Sequence, residues 1–198
     1  STRIVMEYFS KNFEDDCLSM FLYLEQLPLF TSTNRAKYGE NGKGVISNVY
    51  GTTHFSHTKT TKGKTWRMPS PDGKGYYTKL RKNHPEFADI FKEFVDLYGE
   101  EFKFNQVVIN RDFKITRHID NSNVGESIIM AFGDYEGGEI CLEREGSIET
   151  HSIKHKFLKF NGSKIYHYVK DFTGTRYSLV FYNTDIKAKK NWKMDFKK

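Results

Sequence analysis

The stretch from 104 to 183 is punctuated too often to hold long helices. Short runs rich in β-branched and aromatic residues recur at 104–112, 115–121, 127–132, 139–143, 148–153, 156–160, 165–169 and 176–183. Turn-forming residues separate most of them, at 123–125, 133–138, Gly146, Asn161-Gly162 and Thr173-Gly174. Many short strands joined by close turns favour a mainly β jelly roll of cupin-like type over an α/β sheet. Upstream, 14–27 sets Cys17, Met20, Phe21, Leu24 and Leu27 at helical spacing, and 85–98 does the same with Phe87, Ile90, Phe91, Phe94 and Tyr98. Pro85 suits a first turn and Gly99 a stop. These flanking helices are expected to pack on the outer sheet of the β core, with no catalytic role.

The chemistry is concentrated in His118-Ile119-Asp120, followed by His167 and, nine residues later, Arg176. On an extended strand residues two apart share a face, so His118 and Asp120 aim inward together while Ile119 packs outward. His167 lies in a second strand-like run, which is expected to face the first across a barrel. Two imidazoles and one carboxylate can take one face of an octahedral Fe(II) and leave the other for a co-substrate and dioxygen. In 176–182, Tyr177, Leu179 and Phe181 lie opposite Arg176, Ser178 and Val180. An inward guanidinium beside a metal needs an anion, and its fork of N–H donors suits a carboxylate. The remaining histidines, His54, His57, His84, His151 and His155, read as surface or core residues.

With this triad and basic residue in order, 104–183 resembles the double-stranded β-helix core of the Fe(II)/2-oxoglutarate-dependent dioxygenases, and Gly137-Gly138-Glu139-Ile140 resembles their Gly-Gly turn before a middle strand. The resemblance implies Fe(II) held by His118, Asp120 and His167, with 2-oxoglutarate anchored through its far carboxylate by Arg176 and assisted by Asn110 and Ser178. Within the superfamily, 104–111 is similar to the first core strand of the AlkB-type nucleic-acid demethylases, whose Asn matches Asn110, and 35–39 is similar to the start of their substrate-recognition region. Asp112 stands where that family has a Tyr, Tyr182 where it has a second Arg, and Ser122 where it has an acidic base-reading residue. The cofactor chemistry therefore carries over and the repair specificity does not. The base-oxidising TET enzymes and the thymine hydroxylases of the base-J pathway share the Gly-Gly-Glu turn and the His-to-Arg spacing, as do prolyl hydroxylases.

Charge points to a polyanionic partner. Residues 57–83 carry Lys59, Lys62, Lys64, Arg67, Lys74, Lys79, Arg81 and Lys82 against the single acid Asp72, with Trp66, Tyr76 and Tyr77 interleaved. Cations that neutralise phosphates, alternating with rings on which bases stack, are what a nucleic-acid groove requires. Pro69, Pro71, Gly63, Gly73 and Gly75 argue for an irregular lid rather than a helix. Tyr38, Trp66, Arg67, Tyr76, Tyr77, Lys79 and Arg81 are the candidate substrate contacts. The net charge of +6, the pI near 9.1 and the lysines at 187, 189, 190, 193, 197 and 198 lean the same way.

The 198 residues, 37% hydrophobic and 16% aromatic, suffice for one well-filled core. A single domain is expected: helices and basic lid over 1–103, the β core over 104–183 and a basic tail over 184–198. No apolar run approaches the roughly 18 residues of a membrane span, and the first residues lack a signal-peptide layout, so an intracellular protein of cytoplasm or nucleus is expected. Cys17 and Cys141 read as buried thiols of a reducing compartment, with a single disulfide as the alternative. Three functions fit these residues: an oxygenase acting on DNA or RNA bases, a prolyl-type protein-residue hydroxylase, and a non-catalytic binding module on the same fold.

Overall fold

The computed structural model describes residues 7–39, 44–53, 69–71, 73 and 75–184. In chain order its elements are α1 (Phe13–Gln26), β1 (Thr31–Ser32), a 3-10 turn (Ala36–Tyr38), β2 (Val45–Thr53), β3 (Tyr76–Tyr77), α2 (Lys79–Asn83) and α3 (Glu86–Tyr98). The strands β4 (Gln106–Arg111), β5 (Ser127–Phe132), β6 (Tyr135–Gly137), β7 (Ile140–Arg144), β8 (Ser147–His151), β9 (Leu158–Phe160), β10 (His167–Val169), β11 (Phe172–Gly174) and β12 (Tyr177–Tyr182) follow.

Among the described residues the strands named above pair antiparallel throughout. The major sheet runs β1-β2-β4-β12-β5-β9 with β3 added to β2, a minor sheet runs β10-β7-β8, and β6 pairs with β11. The period of two along β4 and β12 gives the major sheet two different faces. Val107, Ile109, Tyr177, Leu179 and Phe181 join Met20, Leu24, Phe91 and Phe94 from the helices in one apolar cluster. Gln106, Val108, Asn110, Ser178, Val180 and Tyr182 turn the other way and line a cavity. A second cluster, with Ile129 and Ala131 of β5 against Ile140 and Leu142 of β7, joins the two sheets. The strand β5 is buried along its whole length, which is why it is a continuous apolar run rather than an alternating one.

The aromatic content is spent between the helices and the sheet. Phe94 meets the rings of Phe9, Tyr98 and Phe132 edge-on at centroid distances of 5.3, 5.1 and 5.6 Å. Fully burying each such ring contributes about 1.5–3 kcal/mol. Cys17 packs in this layer and Cys141 on β7, both buried and both free, so there is no disulfide between them. Burial, reinforced by Asp16 and Glu14, pushes the Cys17 thiol up to about 12, which leaves it unreactive.

Several elements depart from the expectations. Residues 115–121 do not form a regular strand. Their backbone pairs only at isolated points, Val169 N to Ile115 O, His118 with His167 in both directions, and Asp120 N to Gly162 O. The ladder breaks because Thr116 N turns to Tyr38 O at 2.7 Å instead. Nor do His118 and His167 face each other across a barrel: they are direct antiparallel neighbours. The nine-residue β2, beside β4 in the major sheet, was not among the expected strands, and neither were β1, β3, β6 and β11. The short helix α2 lies in the stretch expected to be irregular, started by Thr78, whose side chain accepts from Arg81 N at 3.3 Å.

Before α1, a buried acid holds the chain. Asp16 accepts from Ser10 N and Ser10 Oγ, both at 2.7 Å, from Lys11 N at 2.9 Å and from the Tyr98 hydroxyl. Burial pushes its carboxyl up, but these hydrogen bonds outweigh it and hold it below the ordinary carboxylate value. Its stabilisation is therefore complete above about pH 4 and fades as pH falls through the depressed folded-state value. Asp16→Asn should lower stability at pH 7 by about 1.5–3 kcal/mol, and denaturant unfolding at a series of pH values should show that deficit shrinking below about pH 4. A deficit that stays constant with pH would contradict the assignment.

Candidate metal centre and its cavity

The two imidazoles reach the centre through a backbone bridge. His118 N donates to His167 O and His167 N to His118 O, each at 3.0 Å, which sets the rings side by side with centroids 4.2 Å apart. Each ring is then held by a carbonyl two residues back in its own chain: Nδ1 of His118 lies 2.8 Å from Thr116 O, and Nδ1 of His167 lies 2.8 Å from Ile165 O. A carbonyl can only accept, so both Nδ1 atoms carry a proton and both Nε2 atoms are left for Asp120 or a metal. The two Nε2 atoms converge on Asp120, at 3.4 Å from His118 Nε2 to Oδ1 and 3.2 Å from His167 Nε2 to Oδ2. One ligand atom from each of the three lies within 4.8 Å of the others.

Burial alone would push the Asp120 carboxyl up, but hydrogen bonding and charge from the two histidines hold it well below the carboxylate range. With His118 only 8% and His167 only 5% exposed, the three groups share a site largely shut off from water, and a divalent cation there would replace the protons between the Nε2 atoms and the carboxylate. Two imidazole nitrogens and one carboxylate on one side match the ligand set of an open Fe(II) site. The carbonyls of Thr116 and Ile165 hold the rings in the tautomer that a metal needs.

The triad opens into a cavity of about 690 Å³ between the sheets. Asn110 and Ser178 line it as cross-strand partners, with Asn110 Nδ2 donating to Ser178 Oγ at 3.1 Å. Arg176 is not among the lining residues. Its side chain is 2% exposed, donates from Nη2 to Gly138 O at 3.0 Å, and lies over the rings of Tyr135 and Phe172. Its Nε–H has no partner. Burial pulls its guanidinium down, while Tyr135, Glu139 and Asp112 push the other way. It is a buried cation with a spare donor, the feature a carboxylate would complete. Gly138, at φ +70°, is where the expected Gly-Gly turn meets this residue: a Cβ there would stand 2.7 Å from Arg176 Nε. Asp112, in the place of a ligand-binding Tyr, instead accepts from Arg176 N at 2.8 Å.

Of the expected substrate residues, Tyr38 and Lys79 line the cavity. Tyr38 packs on His118 with centroids 5.1 Å apart, and Lys79 Nζ lies 5.5 Å from the Phe30 ring. Arg81 stacks over Tyr77 at 4.2 Å; neither they nor Tyr76 line the cavity. Trp66 and Arg67 lie outside the described residues. His84, His151 and His155 stand apart from the triad.

Sequence reasoning missed Ser47, on the unexpected β2, and gave Gly162 only a turn role. Asp120 N donates to Gly162 O at 2.8 Å, and a Cβ on Gly162 would sit 2.9 Å from Asp120 Oδ2 and 3.6 Å from His167 Cε1. The triad therefore needs a residue without a side chain there, a requirement visible only once β9 and β10 bring the loop across.

No protein-family model matches the chain, and no curated protein matches it. Among solved structures, NgTET1 in complex with 5mC DNA is similar with a TM-score of 0.53 at 13% identity, over 87% of this chain and 69% of that one. An oxidoreductase of the 2OG-Fe(II) oxygenase family from Burkholderia pseudomallei is similar with a TM-score of 0.49 at 14% identity, over 92% and 95%. A Pseudomonas putida prolyl-4-hydroxylase is similar with a TM-score of 0.47 at 9% identity, over 90% and 89%. The likeness to NgTET1 bears out the fold: a mainly β, double-stranded β-helix core with flanking helices.

Gly162→Ala should weaken Mn(II) or Fe(II) binding by about 10-fold or more, because the Asp120 carboxylate must move. His118→Ala should abolish it. Calorimetric titration with Mn(II), alongside an unfolding curve to confirm the fold, checks both, and a wild-type metal affinity in Gly162→Ala would contradict the placement of Asp120.

Proposed function

We propose that the protein is an Fe(II)- and 2-oxoglutarate-dependent dioxygenase that oxidises a nucleic-acid base, with release of succinate and CO2. The observation that carries the reading is the convergence of two Nε2 atoms and a carboxylate on one point at the wall of a large cavity. His118, Asp120 and His167 would hold the metal, which supplies activation of dioxygen coupled to decarboxylation of the 2-oxo acid. The chain's own groups bind and shield. Asn110 and Ser178 offer hydrogen bonds to the 2-oxo acid, and the buried Arg176, behind the wall rather than on the lining, supplies positive charge for its far carboxylate. Ile140, Ile129 and Val180 give the cavity apolar walls that exclude water from the reacting centre.

Nucleic acid is the substrate class that the cavity mouth favours. Lys79 stands exposed on the lining, Arg81 stacks on Tyr77 beside it, and Tyr38 presents a ring next to a metal ligand. A base in a duplex must be swung out to reach the centre, at a cost of a few kcal/mol. Stacking on a ring such as Tyr38, worth about 1–3 kcal/mol, would offset much of that cost. The similar NgTET1 structure was solved in complex with 5mC DNA.

Fe(II)-loaded protein given 2-oxoglutarate, dioxygen and defined oligonucleotides should form succinate and oxidised nucleosides, read by mass spectrometry. Lys79→Ala and Arg81→Ala should each weaken oligonucleotide binding and reduce its salt slope by about one. Succinate formation coupled to a peptide and not to any oligonucleotide, or binding that ignores salt, would overturn the substrate assignment.

A further inference from the structure

A row of polar side chains crosses the inner face of the major sheet where apolar residues would pack more cheaply. Ser47 on β2, Asn110 on β4 and Ser178 on β12 are register partners, and all three are buried. They are linked in one direction. Arg35 Nε donates to Ser47 Oγ at 2.7 Å, the Ser47 hydroxyl donates to Asn110 Oδ1 at 2.6 Å, and Asn110 Nδ2 donates to Ser178 Oγ at 3.1 Å. The first step forces the rest. A guanidinium cannot accept, so Ser47 must accept from it and pass its single proton on, which fixes the Asn110 amide with its nitrogen toward Ser178. The hydroxyl proton of Ser178 is left to donate into the cavity, and a cation at the head of such a chain strengthens every bond along it.

Arg35 itself lines the cavity, from the residue before the 3-10 turn. Among the described residues its guanidinium has one hydrogen bond, to Ser47, and its Cζ lies 5.3 Å from the Tyr38 ring that packs on His118. The described lining holds two cations of fixed charge, Arg35 and Lys79, against the single acid Asp120. A chelating oxo-diacid adds two further negative charges.

We infer that Arg35, acting with Ser178 and Asn110, binds the carboxylate at the keto-acid end of the co-substrate, while Arg176 serves the far end. This rests on the reading of the protein as a 2-oxoglutarate enzyme. It gives the cavity the cation for the metal-proximal carboxylate and makes the long strand β2 part of the co-substrate site through Ser47.

Titration calorimetry of the Mn(II)-loaded chain with 2-oxoglutarate and, separately, with pyruvate tests it, because pyruvate keeps the keto-acid end and lacks the far carboxylate. Arg35→Gln should weaken both ligands by about 10- to 100-fold, the effect of a lost charge-assisted contact, with Mn(II) affinity unchanged. Ser47→Ala, which keeps the guanidinium but removes its anchor, should weaken both to a smaller degree and supplies the test if Arg35→Gln does not fold. Unchanged affinity in the folded variants overturns the inference and leaves the oxygenase reading standing. Loss for 2-oxoglutarate alone places Arg35 at the far end, and loss for a DNA oligonucleotide alone places it with the substrate; each overturns the assignment. A wild-type chain that binds neither 2-oxo acid overturns both readings before any substitution is made.

Discussion

Two imidazoles aimed at one carboxylate make the point on which the rest of the molecule depends. The arrangement exists because the Nδ1 protons of His118 and His167 are committed to backbone carbonyls, which leaves both Nε2 atoms facing the Asp120 carboxylate at 3.2–3.4 Å. The scaffold sustains it through the paired backbone bonds of His118 with His167 and through the bond from Asp120 to Gly162, all of which are independent of the side chains. A divalent cation bound by all three groups would add to the stability of the same geometry.

The two-faced sheet explains how such a site can be held steady. One face of β4 and β12 is committed to the helices through Phe91, Phe94, Leu179 and Phe181, an aromatic layer that tolerates little displacement. The opposite face is thereby free to carry polar groups at low structural risk, and Asn110 and Ser178 occupy it. The minor sheet supplies His167 on β10, and the broken segment beside it supplies His118 and Asp120. The His-Asp-His triad and the polar groups proposed to meet the co-substrate thus come from opposing sides of the cavity.

What could be seen in the chain depended on whether a residue's partners were near in sequence. The same-face placement of His118 and Asp120 needed only a period of two, and it held even though the ladder around them is broken. The split of Tyr177, Leu179 and Phe181 from Ser178 and Val180 was equally local. By contrast, β2 was illegible because it buries polar residues on both of its faces, Ser47 on one and Asn48 on the other. Ser47 turns to Arg35 and Asn110, and Asn48 turns to the backbone of Phe30, so its polar residues carry no alternation to read. The position of Arg176 behind Gly138, rather than on the cavity wall, and the need for an unsubstituted Gly162 beside Asp120 arise only from contacts across the fold.

The most direct test is a crystal of the protein grown with Mn(II), with anomalous diffraction locating the ion. A single peak within bonding distance of His118 Nε2, His167 Nε2 and an Asp120 oxygen, with coordination positions left open toward the cavity, is the predicted result. An ion bound elsewhere, or triad side chains turned away from one another with no peak among them, would contradict the account.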